Sequence, residues 1–207
     1  GAQTKMRRAV LSALDITMGQ LLEHCAARPK QVERITLVGN ACMQHIIANI
    51  DISPLGRPPY QPLTKDALQF TGKNLGFKNA PDAIVELPGI ISGWNGADTV
   101  ASILTCGLYK SDTPVLLADI GVNTELVLGS RSAILTCSVP TPALDGVGLS
   151  CGCGSIPGGI NGIWKNKYKL INNIIDHKTP TGICGTGALD ALSIMLRAEI
   201  INNSGIM

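Results

Sequence analysis

Hydrophobic residues in the first half of the chain alternate between helical and strand-like spacing. Val10, Leu14, Met18 and Leu21 recur at helical intervals, which predicts an amphipathic helix over residues 6–25. Further strands are predicted at residues 34–38 and 83–87, and further helices at 41–49, 65–75 and 97–106. The first half therefore reads as an alternation of helices and strands.

The second half begins with closely spaced strands. Three apolar runs are predicted as strands, at residues 115–119, 125–128 and 133–137. Asn166 and Lys167 predict a later hairpin turn, with its second strand at 169–175, and the last helix is predicted at 185–199. These patterns indicate an α/β fold of two lobes, residues 1–108 and 109–207, with a hinge near 107–113.

Composition narrows the possible functions. The chain has 207 residues, of which 45% are hydrophobic, and 17 basic against 15 acidic side chains give a net charge of +2. This balance argues against nucleic acid as a partner, and no apolar run approaches the ~18 residues that span a bilayer. The seven cysteines include one C-x-C pair, Cys151 and Cys153, a weak metal signal for which a structural or incidental role ranks first. We expect a reduced, cytoplasmic protein without a membrane partner.

Residues 115–125 hold the most informative pattern. An apolar strand ends at Asp119, turns through Gly121 and Asn123, and re-enters a strand after Thr124. Such a hairpin can offer backbone N–H groups and a hydroxyl to a phosphate, and the glycine allows close approach. Asp119 would then face the metal ion that accompanies a nucleotide, directly or through water. Because the same residues are common in turns, an ordinary hairpin stays open as the alternative.

Two helix starts and one strand end are further candidate sites. Gly96 and Asp98 open a helix, where the dipole favours a carboxylate with or without a ligand. Gly185 and Gly187 lie in a glycine-rich turn before the last helix, which suits either an anion or close helix packing. Asn40 follows the first strand, and its amide either orients a water molecule or phosphate or caps the next helix.

Taken together, these segments resemble a known family in their order and spacing. The matching strings are VGNACMQH at 38–45, LGRPPYQP at 55–62, GADT at 96–99, DIGVNTE at 119–125, PALDG at 142–146, PGGI at 157–160 and GICGTG at 182–187. The chain resembles the C-terminal domain of the reductive activators of corrinoid proteins. That family belongs to the wider superfamily of acetate and sugar kinases, heat-shock chaperones and actin.

The resemblance implies a two-lobed, actin-like (ribonuclease H-like) fold with nucleotide in a cleft, here incomplete at both ends. It implies an ATP-dependent activase that uses Mg and, in a further N-terminal domain, an iron–sulfur cluster to help push an electron onto cob(II)alamin. The partner would be a corrinoid or related metalloprotein. The implied catalytic residues are Asp119, also the metal ligand, and Asn40. The implied cofactor-binding residues are Gly121, Asn123, Thr124, Gly96, Asp98, Gly185 and Gly187.

The sequence departs from the family pattern at several positions. Val122 stands where the family usually has threonine, and Thr124 where it usually has glycine. A glycine usual just before Pro142 is absent, and Cys153 replaces a usual methionine. The superfamily holds ATP with two phosphate hairpins and an adenosine loop, of which this chain matches one hairpin. We therefore expect these 207 residues to hold no cofactor firmly and to be inactive by themselves.

Two other functions stay open at this point. One is a non-catalytic binding or assembly module of the same fold, and the other is a small-molecule kinase of the same superfamily. Because a lobe without its first hairpin leaves sheet edges and apolar helix faces unpaired, we also expect a homo-oligomer.

Overall fold

The computed structural model describes residues 1–167 and 169–207. Five α-helices in this part of the chain are α1 (Ala2–His24), α2 (Ala41–Ala48), α3 (Gly72–Leu75), α4 (Ala97–Cys106) and α5 (Gly185–Arg197). The strands are β1 (Arg34–Thr36), β2 (Leu68–Thr71), β3 (Ile84–Leu87), β4 (Val115–Ile120), β5 (Asn123–Gly129), β6 (Ile134–Pro140), β7 (Gly159–Asn166), β8 (Lys169–Ile174) and β9 (Gly182–Ile183). The α/β class predicted from the sequence is confirmed.

Three small sheets carry the strands. The first has the order β1-β3-β2, in which β1 is parallel to β3 and β2 is antiparallel to it. The second has the order β4-β5-β6. The third has the order β8-β7-β9, with β8 antiparallel and β9 parallel to β7.

The helix predicted over 65–75 is wrong. Residues 68–71 form strand β2, which pairs with β3, and only Gly72–Leu75 are helical. Leu68 and Phe70 alternate with exposed residues and pack against the core, so a strand period overrides local helix propensity here. Thr71 caps the short helix by accepting a hydrogen bond from the Asn74 N–H.

The chain divides into two compact units. Unit 1 comprises Gly1–Leu117 and Val127–Cys137, and unit 2 comprises Ala118–Leu126 and Ser138–Met207. The domain division at residues 108 and 109 that we derived from the sequence stays a prediction.

The main core of unit 1 lies between α1, α2 and the first sheet. Its buried side chains are Leu11, Ile47, Leu75, Phe77, Val85 and Leu87. Complete burial of such a side chain contributes roughly 1.5–3 kcal/mol. In α1 the buried residue is Leu11, with Leu14 and Met18 packed beside it, whereas Val10 and Leu21 of the predicted face are exposed.

Candidate functional site

Two of the predicted sites in unit 1 are in direct backbone contact. The Ala97 N–H, at the start of α4, donates a hydrogen bond to the carbonyl oxygen of Gly39 at 3.0 Å. A methyl group on Gly96 would lie 2.5 Å from Asn40 Cα and would also meet the Gly39 oxygen. Only glycine permits this approach, so close backbone packing explains the glycine at position 96 without a ligand.

Asn40 caps the helix that follows it. Its side-chain Oδ1 accepts a hydrogen bond from the Met43 N–H at 2.9 Å, while its own backbone is extended at φ −66° and ψ 167°. The capping role, one of the two open from the sequence, is therefore confirmed. The side-chain NH₂ group remains for a ligand, so a catalytic role of Asn40 stays a prediction.

Asp98 lies in the first turn of α4, as predicted. Its Oδ1 accepts a hydrogen bond from the Thr99 N–H at 2.8 Å, which satisfies one of the free donors at the start of the helix. Together with the helix dipole, this bond accounts for a carboxylate at the position. Ligand binding by Asp98 stays a prediction.

The Asp119–Thr124 segment of unit 2 forms the predicted turn between two strands. Gly121 and Val122 separate β4 from β5, and the Gly121 N–H donates to the Asn123 carbonyl oxygen at 3.1 Å. The side chains of Asp119 and Asn123 are exposed. A methyl group on Gly121 would meet only the Asn123 oxygen, at 3.3 Å, so the turn is open to close approach from outside.

Thr141 fastens this turn from a neighbouring segment. Its N–H donates to the Val122 carbonyl oxygen at 2.7 Å, and its hydroxyl donates to the Gly121 carbonyl oxygen at 2.7 Å. The Thr141 hydroxyl also lies 2.8 Å from that of Thr124, whose residue is 8% exposed. Thr141, which lies outside the turn, therefore stabilises it through three hydrogen bonds.

The number of available protons determines which threonine donates the hydrogen bond between Thr124 and Thr141. A hydroxyl has one proton, and the Gly121 carbonyl oxygen can only accept, so the Thr141 proton goes to that carbonyl. Thr124 must then be the donor to Thr141. With its proton engaged, the Thr124 hydroxyl positions the turn and is not free to donate to a phosphate. Its assignment as a nucleotide contact stays a prediction, and it rests on the backbone of Thr124 rather than on the hydroxyl.

Sequence reasoning missed Thr141 as a residue of this site. The available signal was the pair of departures from the family pattern, at Thr124 and at the position just before Pro142, which is Thr141. The structure shows that these two departures touch each other. Each threonine therefore supplies the partner that the other requires.

The segment after Thr141 leads directly to the start of α5. The Leu144 N–H donates to the Thr141 carbonyl oxygen at 3.0 Å, and the Leu144 oxygen lies against Gly185 so closely that a methyl group there would collide with it. A methyl group on Gly187 would likewise collide with the Ile160 carbonyl oxygen. Close backbone packing, the alternative open from the sequence, thus explains both glycines, and their role in cofactor binding stays a prediction.

The residues fit an ATP–Mg site in part. Asp119 and Asn123 are exposed, and their side-chain oxygens are ligands of the kind that Mg²⁺ accepts, while Gly121 leaves space at the turn. Within residues 1–167 and 169–207, no three His, Cys, Asp or Glu side chains come together as a metal cluster. In that same part of the chain, no helix is both long and apolar enough to cross a membrane.

Comparison with known proteins identifies the family. A family model described as the RACo middle region matches residues 1–111, and one described as the C-terminal domain of RACo, the ASKHA domain, matches residues 113–207. The fold is thus the predicted actin-like one, that of the acetate and sugar kinase, heat-shock protein and actin superfamily. The chain belongs to the RACo family of reductive activators of corrinoid proteins, which confirms the resemblance seen in the sequence.

Individual relatives agree with this assignment. The corrinoid activation enzyme RamQ of Eubacterium limosum is 27% identical over 202 residues, which cover 97% of this chain and 34% of that protein. The [Co(II) methylated amine-specific corrinoid protein] reductase of Methanosarcina barkeri is 29% identical over 203 residues, covering 83% of this chain and 38% of that protein.

A solved structure also matches the chain. It is described as a reductive activator for corrinoid, iron–sulfur protein, and it superposes with a TM-score of 0.77 at 29% sequence identity. The match covers 99% of this chain and 33% of that one. The chain therefore spans about a third of the length of the relatives it matches.

Proposed function

We propose that this chain is part of an ATP-dependent, iron–sulfur-linked activator that reduces the cobalt of a corrinoid protein. The observation that carries the proposal is the pair of family matches, which together span residues 1–111 and 113–207. The relatives named as corrinoid activators or reductases support the choice of partner. Hydrolysis of ATP would supply the free energy for an electron transfer that is unfavourable by itself.

Within this activator, the β4–β5 turn is the proposed phosphate contact. Asp119 would hold Mg²⁺, directly or through water, and the exposed Asn123 side chain would contact the nucleotide. Gly121 would leave space for the phosphate, whose hydrogen bonds would come from other N–H groups, because the Gly121 N–H already donates to the Asn123 carbonyl oxygen. Thr124 and Thr141 would keep the turn in this shape. The Asn40 NH₂ group would orient a water molecule or a phosphate.

The 207 residues alone are proposed to bind ATP only weakly. In the superfamily, two hairpins and an adenosine loop share the nucleotide, and this chain matches one hairpin. Each charge-assisted hydrogen bond contributes roughly 1.5–3 kcal/mol. A Kd of 1 μM corresponds to about −8.2 kcal/mol and one of 1 mM to about −4.1 kcal/mol. The absence of two or three such bonds therefore moves the Kd from micromolar to millimolar or weaker.

Self-association is a further part of the proposal. Leu116, Ile120 and Leu135, on β4 and β6, are each about two-thirds exposed (65%, 65% and 69%). Exposed apolar strands favour contact with another chain. Light scattering at increasing concentration should show a rising mass, and a constant monomer mass would contradict this expectation.

The activity itself is tested with the product of the complete reading frame. That protein is mixed with a corrinoid protein in the Co(II) state, a low-potential reductant and Mg-ATP, and loss of the Co(II) absorbance is followed. We expect reduction that depends on ATP and that Asp119→Asn slows at least tenfold. Reduction at the same rate without ATP would instead favour a binding module, and ATP-dependent phosphorylation of a small hydroxyl compound would favour a kinase.

A further inference from the structure

Two cysteines of unit 2 lie opposite each other in sequence-distant segments. The Cys153 N–H donates to the Ile183 carbonyl oxygen at 2.9 Å, and the Ile183 N–H donates to the Cys151 carbonyl oxygen at 3.0 Å. Residues 151–153 therefore run parallel to β9, with Gly152 paired to Ile183. Cys184 directly follows Ile183, so Cys153 faces Cys184 across this pairing.

The spacing of such a pair suits a disulfide bond. Neighbouring strands lie about 4.7–4.9 Å apart. A disulfide needs a Cα–Cα distance of roughly 4.4–6.8 Å, and the strand spacing falls inside that range. The backbone pairing therefore places residues 153 and 184 within the Cα separation that a disulfide bridges.

Both sulfur atoms point toward the same place. A methyl group on Gly159 would lie 2.6 Å from Cys184 Sγ and 3.2 Å from Cys153 Sγ. Because Gly159 has no side chain, this space is left to the two sulfurs. Gly182 approaches from the other strand, where a methyl group would lie 3.0 Å from Cys153 Sγ.

The two thiols differ in access. Cys184 is 1% exposed, and its thiol donates a weak hydrogen bond to the Gly154 carbonyl oxygen at 3.3 Å. Burial, together with the neighbouring Cys153, raises the pKa of the Cys184 thiol. Cys153 is only half-buried, so a reagent from solution meets Cys153 first.

We propose that Cys153 and Cys184 form a redox-sensitive dithiol, which a small-molecule disulfide oxidises to an intramolecular disulfide bond. The Cys153 thiolate attacks one sulfur of the small disulfide, breaks its S–S bond and releases one small thiol. The Cys184 thiol then loses its proton and attacks Cys153 Sγ, which releases the second small thiol. Two protein thiols are oxidised and one small disulfide is reduced to two thiols.

The new bond would fasten the loop at residues 151–154 to the first turn of α5. Cys184 is the residue that precedes α5, and the covalent link would close a loop containing β7, β8 and β9. The proposal rests on these contacts alone and does not depend on the proposed activator role.

The test is peptide mapping after oxidation of the folded 207-residue chain. The protein is incubated with oxidised glutathione, quenched in acid, alkylated and digested, and its peptides are identified by mass spectrometry. We expect a cross-linked peptide pair containing Cys153 and Cys184, whereas the four exposed cysteines can only carry glutathione or stay free. A Cys151–Cys153 link, or full alkylation of both Cys153 and Cys184, would overturn the proposal.

Variants separate the two steps. Cys184→Ser should accumulate glutathione on Cys153, because no second thiol is left to displace it. Cys153→Ser should leave Cys184 unmodified, since that residue is closed to solvent. Cys106→Ser, at an exposed cysteine of α4, is the matched control and should leave the cross-link unchanged. Modification of Cys184 in the Cys153→Ser variant would contradict the assigned order. If Cys184→Ser fails to fold, the map of the unaltered chain decides alone.

Discussion

The hydrogen bonds of Thr141 give a quantitative prediction for the β4–β5 turn. Thr141→Val keeps the shape of the side chain and the backbone bond to Val122, but it removes the 2.7 Å bond to the Gly121 oxygen and the 2.8 Å bond from Thr124. At about 0.5–1.5 kcal/mol net per hydrogen bond, the free energy of unfolding should fall by ~1–3 kcal/mol. Thr124→Val removes one of these bonds and should cost about half as much.

The two substitutions should not be additive, because they share one bond. In a double-mutant cycle, Thr124→Val and Thr141→Val together should cost less than their sum by ~0.5–1.5 kcal/mol. Urea unfolding followed by circular dichroism measures each free energy. Thr136→Val is the matched control, since its hydroxyl donates to Asn95 Oδ1 at 3.2 Å and shares no partner with Thr124. The effects of Thr124→Val and Thr136→Val on the free energy of unfolding should add within about 0.3–0.5 kcal/mol. A coupling this small between Thr124 and Thr141 would refute the shared bond.

Three further predictions concern the close packing of Gly185, nucleotide binding at Gly121 and the pKa of Asp51. Gly185→Ala should lower the free energy of unfolding by ~1–3 kcal/mol or more, because its methyl group collides with the Leu144 carbonyl oxygen, as urea unfolding would show. Gly121→Ala, the matched control with one oxygen at 3.3 Å, should change it by less than about 1 kcal/mol while weakening Mg-ATP binding to the complete reading-frame product in calorimetry. Hydrogen bonds from the Ser53 N–H and hydroxyl lower the pKa of the Asp51 carboxyl. The stability that these bonds contribute is therefore present above the pKa of the unfolded chain and is lost as the pH falls through the pKa of the folded protein. Ser53→Ala removes the hydroxyl and should raise the pKa of Asp51, as measured by NMR titration.

The sequence pattern predicted those elements that local chemistry specifies. Helix α4 begins and ends where predicted, because its apolar spacing is regular and Gly107 ends it in a left-handed conformation at φ 67°. The turn at Gly121 was equally readable from its turn residues. The family strings gave the actin-like fold, which no periodicity would have shown.

Long-range contacts decided what the pattern missed. Strand β2 depends on pairing with β3, which no local window at residues 65–75 contains. The role of Thr141 depends on a bond to a residue 17 positions earlier in the chain. The close packing of Gly185 depends on the Leu144 carbonyl, whose position only the folded chain fixes. The presence of glycine in the sequence therefore could not show whether the position contacts a phosphate or packs against the backbone.

Calorimetric titration with Mg-ATP tests the proposed phosphate and metal site at the β4–β5 turn. It compares the 207-residue chain with the product of the complete reading frame, and with that product carrying Asp119→Asn. We expect no measurable binding by the 207 residues, micromolar binding by the complete product, and at least tenfold weaker binding by its Asp119→Asn variant. Micromolar binding by the 207 residues, or equal affinity with and without the Asp119 carboxylate, would contradict the proposed phosphate and metal site.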